Sequence, residues 1–209
     1  MGTVKSLLLG MCFVLGACTS QTSTVQTTEK GTQWEWQNGT IVVKTPERPA
    51  GQKSVLGLTT PKLEAVRVGF VGLGMRGPGA VERFTYIPGT QVVALCDYEE
   101  ARADKCQELL KKASMPKAAV YSGDKGYEEL CKRDDIDLVY IAADWLHHFP
   151  VAKCALENGK NVAIEVPSAM NLQECWDLIN LSESTRKHCF ILENCCYDSV
   201  SYTHLRAHE

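Results

Sequence analysis

From Val66 onward the chain alternates short, continuously apolar runs with longer amphipathic stretches. The runs Val66–Val71 (VRVGFV), Gln91–Cys96 (QVVALC), Ala119–Tyr121, Asp137–Ala142 (DLVYIA), Asn161–Ile164 and Cys189–Leu192 (CFIL) lack the strict polar alternation of a half-exposed strand. They predict strands buried on both faces. Between them, residues from about Met75 to Tyr86, Glu99 to Ala113, Pro150 to Asn158 and Leu172 to Lys187 carry helical periodicity, and Asp124 is positioned to cap a shorter helix running through Cys131. Pro150 near a first turn and Gly159 just past an end fit helix-terminus preferences. Strands that alternate with helices predict an α/β fold, a doubly wound parallel Rossmann sheet, over residues 66–198. Ahead of Val66 the pattern is lost. Residues 29–65, with Trp34, Trp36 and several prolines, predict an extended arm whose Gly51–Leu58 stretch packs along the domain. Thr19–Thr28, rich in Ser, Thr and Gln, reads as a flexible tether.

The first residues change the picture. Lys5 precedes the apolar run Leu7–Leu15, too short for a stable membrane span, and the run ends in Leu15-Gly16-Ala17-Cys18. Small residues before a cysteine resemble the bacterial lipobox. The expectation is a lipoprotein signal over residues 1–17, a lipidated Cys18 (palmitate among its acyl chains), and membrane anchorage in the cell envelope through residues 18–65. An ordinary secretory signal cleaved nearby is the alternative. The net charge of −3 gives no footprint for nucleic acid. There are 10 cysteines, but Cys96, Cys131, Cys154, Cys175 and Cys189 lie in apolar runs and read as small buried hydrophobes rather than a disulfide scaffold. Cys195 and Cys196 are adjacent and do not pair with each other. No metal-ligand spacing occurs, so no metal is expected. The closing residues, Val200–Glu209, break the α/β pattern and resemble one reading frame of a transposon-type sequencing adapter. Residues 199–209 are therefore expected to be a non-native tail, and His204 and His208 carry no functional weight.

The candidate chemistry begins at Gly72-Leu73-Gly74-Met75-Arg76-Gly77. The motif follows a strand, opens a helix, and is succeeded by Asp97 at the end of the next strand, which together form a dinucleotide-binding fingerprint. Gly72 permits the tight turn, Gly74 lets backbone approach a pyrophosphate, and Gly77 allows close helix–strand packing. The helix N-terminus offers amide donors and a positive dipole end. Asp97 can accept hydrogen bonds from an adenosine ribose and disfavours the phosphate of NADP, or it can cap the helix that follows. Arg76 contacts the cofactor or is a surface charge. Two more candidates follow later strands: Trp145-Leu146-His147-His148, in the loop after the fourth, and Glu165-Val166-Pro167, after the fifth. Asn194 follows the sixth. Their bland alternatives are an exposed helix start, a surface carboxylate and a loop cap.

The order of these motifs is similar to that of the glucose–fructose oxidoreductase and inositol dehydrogenase superfamily. Within it the chain resembles glycoside hydrolase family 109 over residues 45–198, including the arm sequence GQKSVLGLTTPKLE. The resemblance implies tightly held NAD, with contacts from Met75, Arg76, Asp97, Trp145, Leu146, His147, His148, Glu165, Val166 and Asn194. Most redox members carry lysine in the middle of Glu-x-Pro, where it moves the proton of the hydroxyl being oxidised. Here the residue is Val166. Ala143-Asp144 also replaces the usual Thr-Pro. Both departures fit the glycosidase branch, whose implied reaction is transient oxidation at C3 of the sugar, loss of the C2 proton with expulsion of the glycosidic oxygen, addition of water, and re-reduction. The implied substrate is a glycan ending in α-linked N-acetylgalactosamine. The implied catalytic acid–base residues belong to a second, α+β domain that this chain is expected to lack. A sugar oxidoreductase and a non-catalytic binding lipoprotein are the alternatives, and self-association is left open.

Overall fold

The computed structural model describes residues 26–27 and 33–193. The chain divides into two compact units, residues 1–44 and 45–209. In the first, β1 (Gln26–Thr27), β2 (Gln33–Gln37) and β3 (Thr40–Val43) form an antiparallel sheet. β2 and β3 are joined at Asn38-Gly39, whose φ angles of 50° and 79° suit the two-residue turn that matches strand twist. Trp34 pairs with Val43 and Trp36 with Ile41 across this hairpin. The arm read as extended thus contains a hairpin, and the Asn-Gly pair was its signal.

The second unit carries β4 (Val66–Val71), α1 (Gly77–Phe84), β5 (Thr90–Asp97), α2 (Glu100–Lys112), β6 (Ala119–Ser122), α3 (Gly126–Cys131), β7 (Leu138–Ile141), α4 (Trp145–Glu157), β8 (Asn161–Ile164), α5 (Leu172–Thr185) and β9 (Cys189–Ile191). The six strands are parallel in the order β6-β5-β4-β7-β8-β9. The winding reverses between β4 and β7, so a crevice opens beyond their carboxyl ends. Val71 lies opposite Cys96 on one side and Ile141 on the other, which brings three strand ends to one level.

The absence of alternation in the strands has a direct cause. Val139 and Ile141 enter a core shared with α3, α4 and α5, while Phe70 and Tyr140 enter a second core shared with α1 and α2. In the second core, Phe70 stacks on Tyr140 with centroids 5.1 Å apart, and Phe84 packs edge-on against both. Both sheet faces are therefore buried.

Several helix boundaries differ from the sequence expectations, among them α1, which runs only from Gly77 to Phe84. The helix expected from Pro150 begins at Trp145, because the Asp144 side chain accepts the Leu146 amide at 2.9 Å and caps it. Pro150 sits inside the helix, where it gives up only the bond to the Leu146 carbonyl, near the helix start. Asp124 does not cap α3; Lys125 occupies that position without a side-chain bond. α5 stops at Thr185, since Arg186 takes a left-handed conformation.

Of the Gly51–Leu58 stretch, Gln52, Lys53 and Ser54 bond to α5 and its C-cap residue, while Leu56 is exposed. Arg48 pairs with Glu183 through bonds of 2.9 and 3.0 Å, Gln52 donates to Asn180 and Glu183, and Arg186 donates to the carbonyls of Lys53 and Ser54. The Glu183 side chain is only 3% exposed. Bonds from Arg48 and Gln52 hold its carboxyl below the usual range. Of the cysteines read as buried, Cys96 and Cys131 are so, and Cys154 and Cys189 partly so. Cys175 is exposed on α5, a correction to the sequence reading. Burial, with the Asp97 charge nearby, pushes the Cys96 thiol up to about 12, so it behaves as an inert packing group. No helix among the described residues is long and apolar enough to cross a membrane.

Candidate functional site

The glycine loop leaves β4 through Gly72, whose φ of +89° suits a residue without a side chain. Its amide donates to the Cys96 carbonyl at 2.9 Å. A Cβ on Gly72 would overlap the backbone of Ala142 and Ala143, and one on Gly77 would overlap the Gly72 carbonyl oxygen. Gly74 differs. A Cβ there would meet nothing nearer than the Arg102 guanidinium at 3.6 Å. The fold itself does not demand glycine at this position, whereas a ligand lying against the backbone would. At the start of α1, Arg76 occupies the cap position and makes no side-chain cap. The first turn is left open to an anion.

Asp97 ends β5 and is buried. Its Oδ2 accepts the Leu73 amide at 2.6 Å, and its Oδ1 accepts the Glu99 amide at 3.0 Å. Glu99, not Asp97, occupies the cap position of α2, so the capping alternative for Asp97 does not hold. Instead the carboxylate ties the glycine loop to the beginning of α2. Arg102, from the first turn of α2, reaches Asp97 Oδ1 at 3.4 Å and Glu99 Oε1 at 3.0 Å.

Across the crevice, Trp145–His148 form the first turn of α4 rather than a loop. His147 Nδ1 lies 2.6 Å from Asp144 Oδ2. Burial works to raise the Asp144 carboxyl, but bonds from the His147 ring and the Leu146 and His147 amides outweigh it and hold it low. His148 is buried, and its Nδ1 lies 2.7 Å from the Pro167 carbonyl oxygen. A carbonyl can only accept, so Nδ1 carries a proton, and in the neutral ring Nε2 is the acceptor. That Nε2 is buried without a hydrogen-bond partner, on a ring that lines the crevice. Glu165 follows β8 and accepts the Tyr140 hydroxyl proton at 2.8 Å. Burial, aided by Glu165, pushes the Tyr140 phenol up to about 12, so it remains a donor at neutral pH.

These groups line one cleft of about 860 Å³. It gathers Gly72, Gly74, Met75 and Arg76 from the loop, Asp97 from β5, Trp145, His147 and His148 from α4, and Glu165 and Val166 beyond β8. Gly77 and Leu146 do not line it. Gly77 packs beneath the loop, and Leu146 is 74% exposed. Asn194 and Cys18 lie outside the described residues. Sequence reasoning missed Tyr98, Arg102 and Tyr140. Tyr140 reads as core because it is core, except for its hydroxyl. The i, i+3 spacing of Glu99 and Arg102 was the available sign of Arg102.

The arrangement suits a dinucleotide: an uncapped helix start, a glycine that only a ligand requires, a carboxylate at the second strand's end, and an orphaned buried acceptor opposite. Residues 66–192 match the oxidoreductase family with an NAD-binding Rossmann fold. The chain is 80% identical, over 95% of its length, to glycosyl hydrolase family 109 protein 4 of Phocaeicola vulgatus, covering 39% of that protein. It is 57% identical, over 97% of its length, to glycosyl hydrolase family 109 protein 1 of Bacteroides thetaiotaomicron, covering 42% of it. The chain thus spans about two fifths of the curated relatives it matches. Among solved structures, the myo-inositol dehydrogenase of Lactobacillus casei with NAD(H) and myo-inositol shares the fold at a TM-score of 0.57 and 24% identity, over 65% of this chain and 38% of that one. Biliverdin reductase of Synechocystis with biliverdin and NADP+ aligns at a TM-score of 0.55 and 26% identity, over 65% of this chain and 40% of that one. With its six parallel strands and its glycine loop at the switch point, the chain belongs to the oxidoreductase family with the NAD-binding Rossmann fold, beside relatives named glycosyl hydrolase family 109 proteins.

Proposed function

We propose that this chain is the cofactor-holding part of a glycosidase that uses NAD as a recycled catalyst and removes terminal α-linked N-acetylgalactosamine from glycans. One observation carries the reading: beyond β8 the cleft wall continues from Glu165 to an apolar residue. Glu165 is held by the Tyr140 hydroxyl, and the next wall residue, Val166, can neither give nor take a proton. Redox members of the resembled superfamily carry a proton-moving lysine at this position, and valine there sets this cleft apart from theirs. The names of the relatives support hydrolysis as the overall outcome.

When bound, NAD would supply a hydride acceptor and donor for a sugar carbon. The chain's own residues bind and orient. Amides of the glycine loop and of the first turn of α1 are donors for a pyrophosphate. The Asp97 carboxylate stands where an adenosine ribose is recognised and opposes a further phosphate there. His148, held by its Nδ1 bond to the Pro167 carbonyl, presents Nε2 on the opposite side. Met75 and Trp145 present apolar surface at the mouth. The proposal extends to cell-envelope anchorage through a lipidated Cys18, supported by the Leu15-Gly16-Ala17-Cys18 sequence.

The test is an assay of the protein at the full length of its relatives. Release of N-acetylgalactosamine from a chromogenic α-glycoside, without net NADH, is the expected result. Stoichiometric NADH from a free sugar would overturn it in favour of an oxidoreductase. Bound NAD with neither signal would leave a binding protein.

A further inference from the structure

The acidic end of the cleft holds an arginine that the dinucleotide reading does not use. Arg102 is 42% exposed, and its guanidinium lies between the glycine loop and α2, against Gly74. In this fold an arginine beyond the second strand commonly receives the 2′-phosphate of NADP. Here both ends of the fork are already engaged. Nη1 reaches Asp97 Oδ1 at 3.4 Å and Nη2 reaches Glu99 Oε1 at 3.0 Å. The two anchors are unequal. Asp97 is buried and fastened by the Leu73 and Glu99 amides, so its orientation is set by the backbone. Glu99 is 57% exposed and has no such fastening.

We infer that Glu99 is a second residue, beside Asp97, that sets cofactor choice in this chain. By holding Arg102 it withdraws the guanidinium beside Asp97 that could meet a 2′-phosphate. Two carboxylates against one guanidinium leave the locality with a net charge of about −1 at neutral pH, which repels a phosphate and tolerates a hydroxyl. Removing the Glu99 charge brings the locality to about zero and releases Nη2. Arg102 then becomes the phosphate ligand it otherwise resembles. The inference rests on the dinucleotide reading, and the experiment separates the two.

Binding of NAD and of NADP to the full chain is measured by isothermal titration calorimetry for the wild type, Glu99→Gln, Arg102→Ala and the double variant, with circular dichroism as the check on folding. The wild type is expected to prefer NAD. Glu99→Gln is expected to raise the NADP-to-NAD affinity ratio about fivefold or more. Adding Arg102→Ala to it should abolish that gain, because the released guanidinium is its source. The gain should also shrink at high salt, since the group is partly exposed. A wild type that binds NAD, with a ratio unmoved by Glu99→Gln, overturns the inference and leaves the dinucleotide reading standing. A gain that survives in the double variant also overturns it, because mere loss of repulsion would then suffice. A folded wild type that binds neither nucleotide removes both.

Discussion

Gly77 and Gly74 share one motif and answer to different neighbours. A methyl on Gly77 would collide with the Gly72 carbonyl, which belongs to the same rigid turn. Gly77→Ala should therefore cost about 1–3 kcal/mol in denaturant unfolding, the typical range for overpacking. A methyl on Gly74 meets only the far end of the Arg102 side chain. Gly74→Ala should unfold at nearly the wild-type denaturant midpoint and yet bind NAD at least about tenfold more weakly by calorimetry. Equal loss of stability in the two variants would contradict this division of roles. Tyr140→Phe keeps the ring stack with Phe70 and deletes only the donor to Glu165. The expected cost is about 1 kcal/mol in stability, with a larger fractional loss in NAD affinity if Glu165 is positioned by that bond. At this scale the glycines and Asp97 were legible, because their spacing has a physical reason. Arg102 and Tyr140 were not. Their roles depend on partners set by the fold: a carboxylate five residues back, and another across the sheet.

Elements were read best where both faces are buried. β4, β5, β7 and β8 are short apolar runs because helices cover each side, and no competing pattern fits so short a run. The start of α4 was misread because Pro150 looks like a first-turn proline, while Asp144 already provides a better cap one turn earlier. Asp144→Ala should cost about 1 kcal/mol in thermal or denaturant unfolding, as loss of a side-chain cap does. The hairpin of β2 and β3 was missed because two tryptophans and nearby prolines masked the Asn-Gly turn. Below the cleft, Arg67 joins β4 to the start of β7 through Asp137, with bonds of 2.8 and 2.7 Å and a further bond from its own amide. Those bonds hold the Asp137 carboxyl below its usual value despite the opposing effect of burial. A depressed carboxylate stabilises the fold above the unfolded-state pKa of about 3.9 and loses that contribution as pH falls through the folded value. The acid limb of stability below about pH 4 should therefore be flatter in Asp137→Asn than in the wild type, in unfolding curves taken across that range.

For the molecule as a whole, the described residues leave β9 at one edge of the sheet, with Phe190 and Ile191 exposed. An apolar edge strand templates further pairing. Ile191→Lys should reduce concentration-dependent light scattering of the full chain while leaving NAD affinity unchanged, because the residue lies outside the cleft. The doubly wound order and the position of the cleft were both predictable, since the connection rules leave few ways to thread parallel strands. The clasp between the arm and α5 was predictable only as packing. Its chemistry, a buried carboxylate gripped by an arginine and a glutamine, comes from residues more than a hundred positions apart, which local pattern cannot pair.

That clasp has a mechanical meaning. Arg48, Gln52 and the carbonyls of Lys53 and Ser54 are fastened to α5 before the chain reaches β4. A tug on the segment preceding Arg48 loads α5 first and leaves the strand that bears the glycine loop slack.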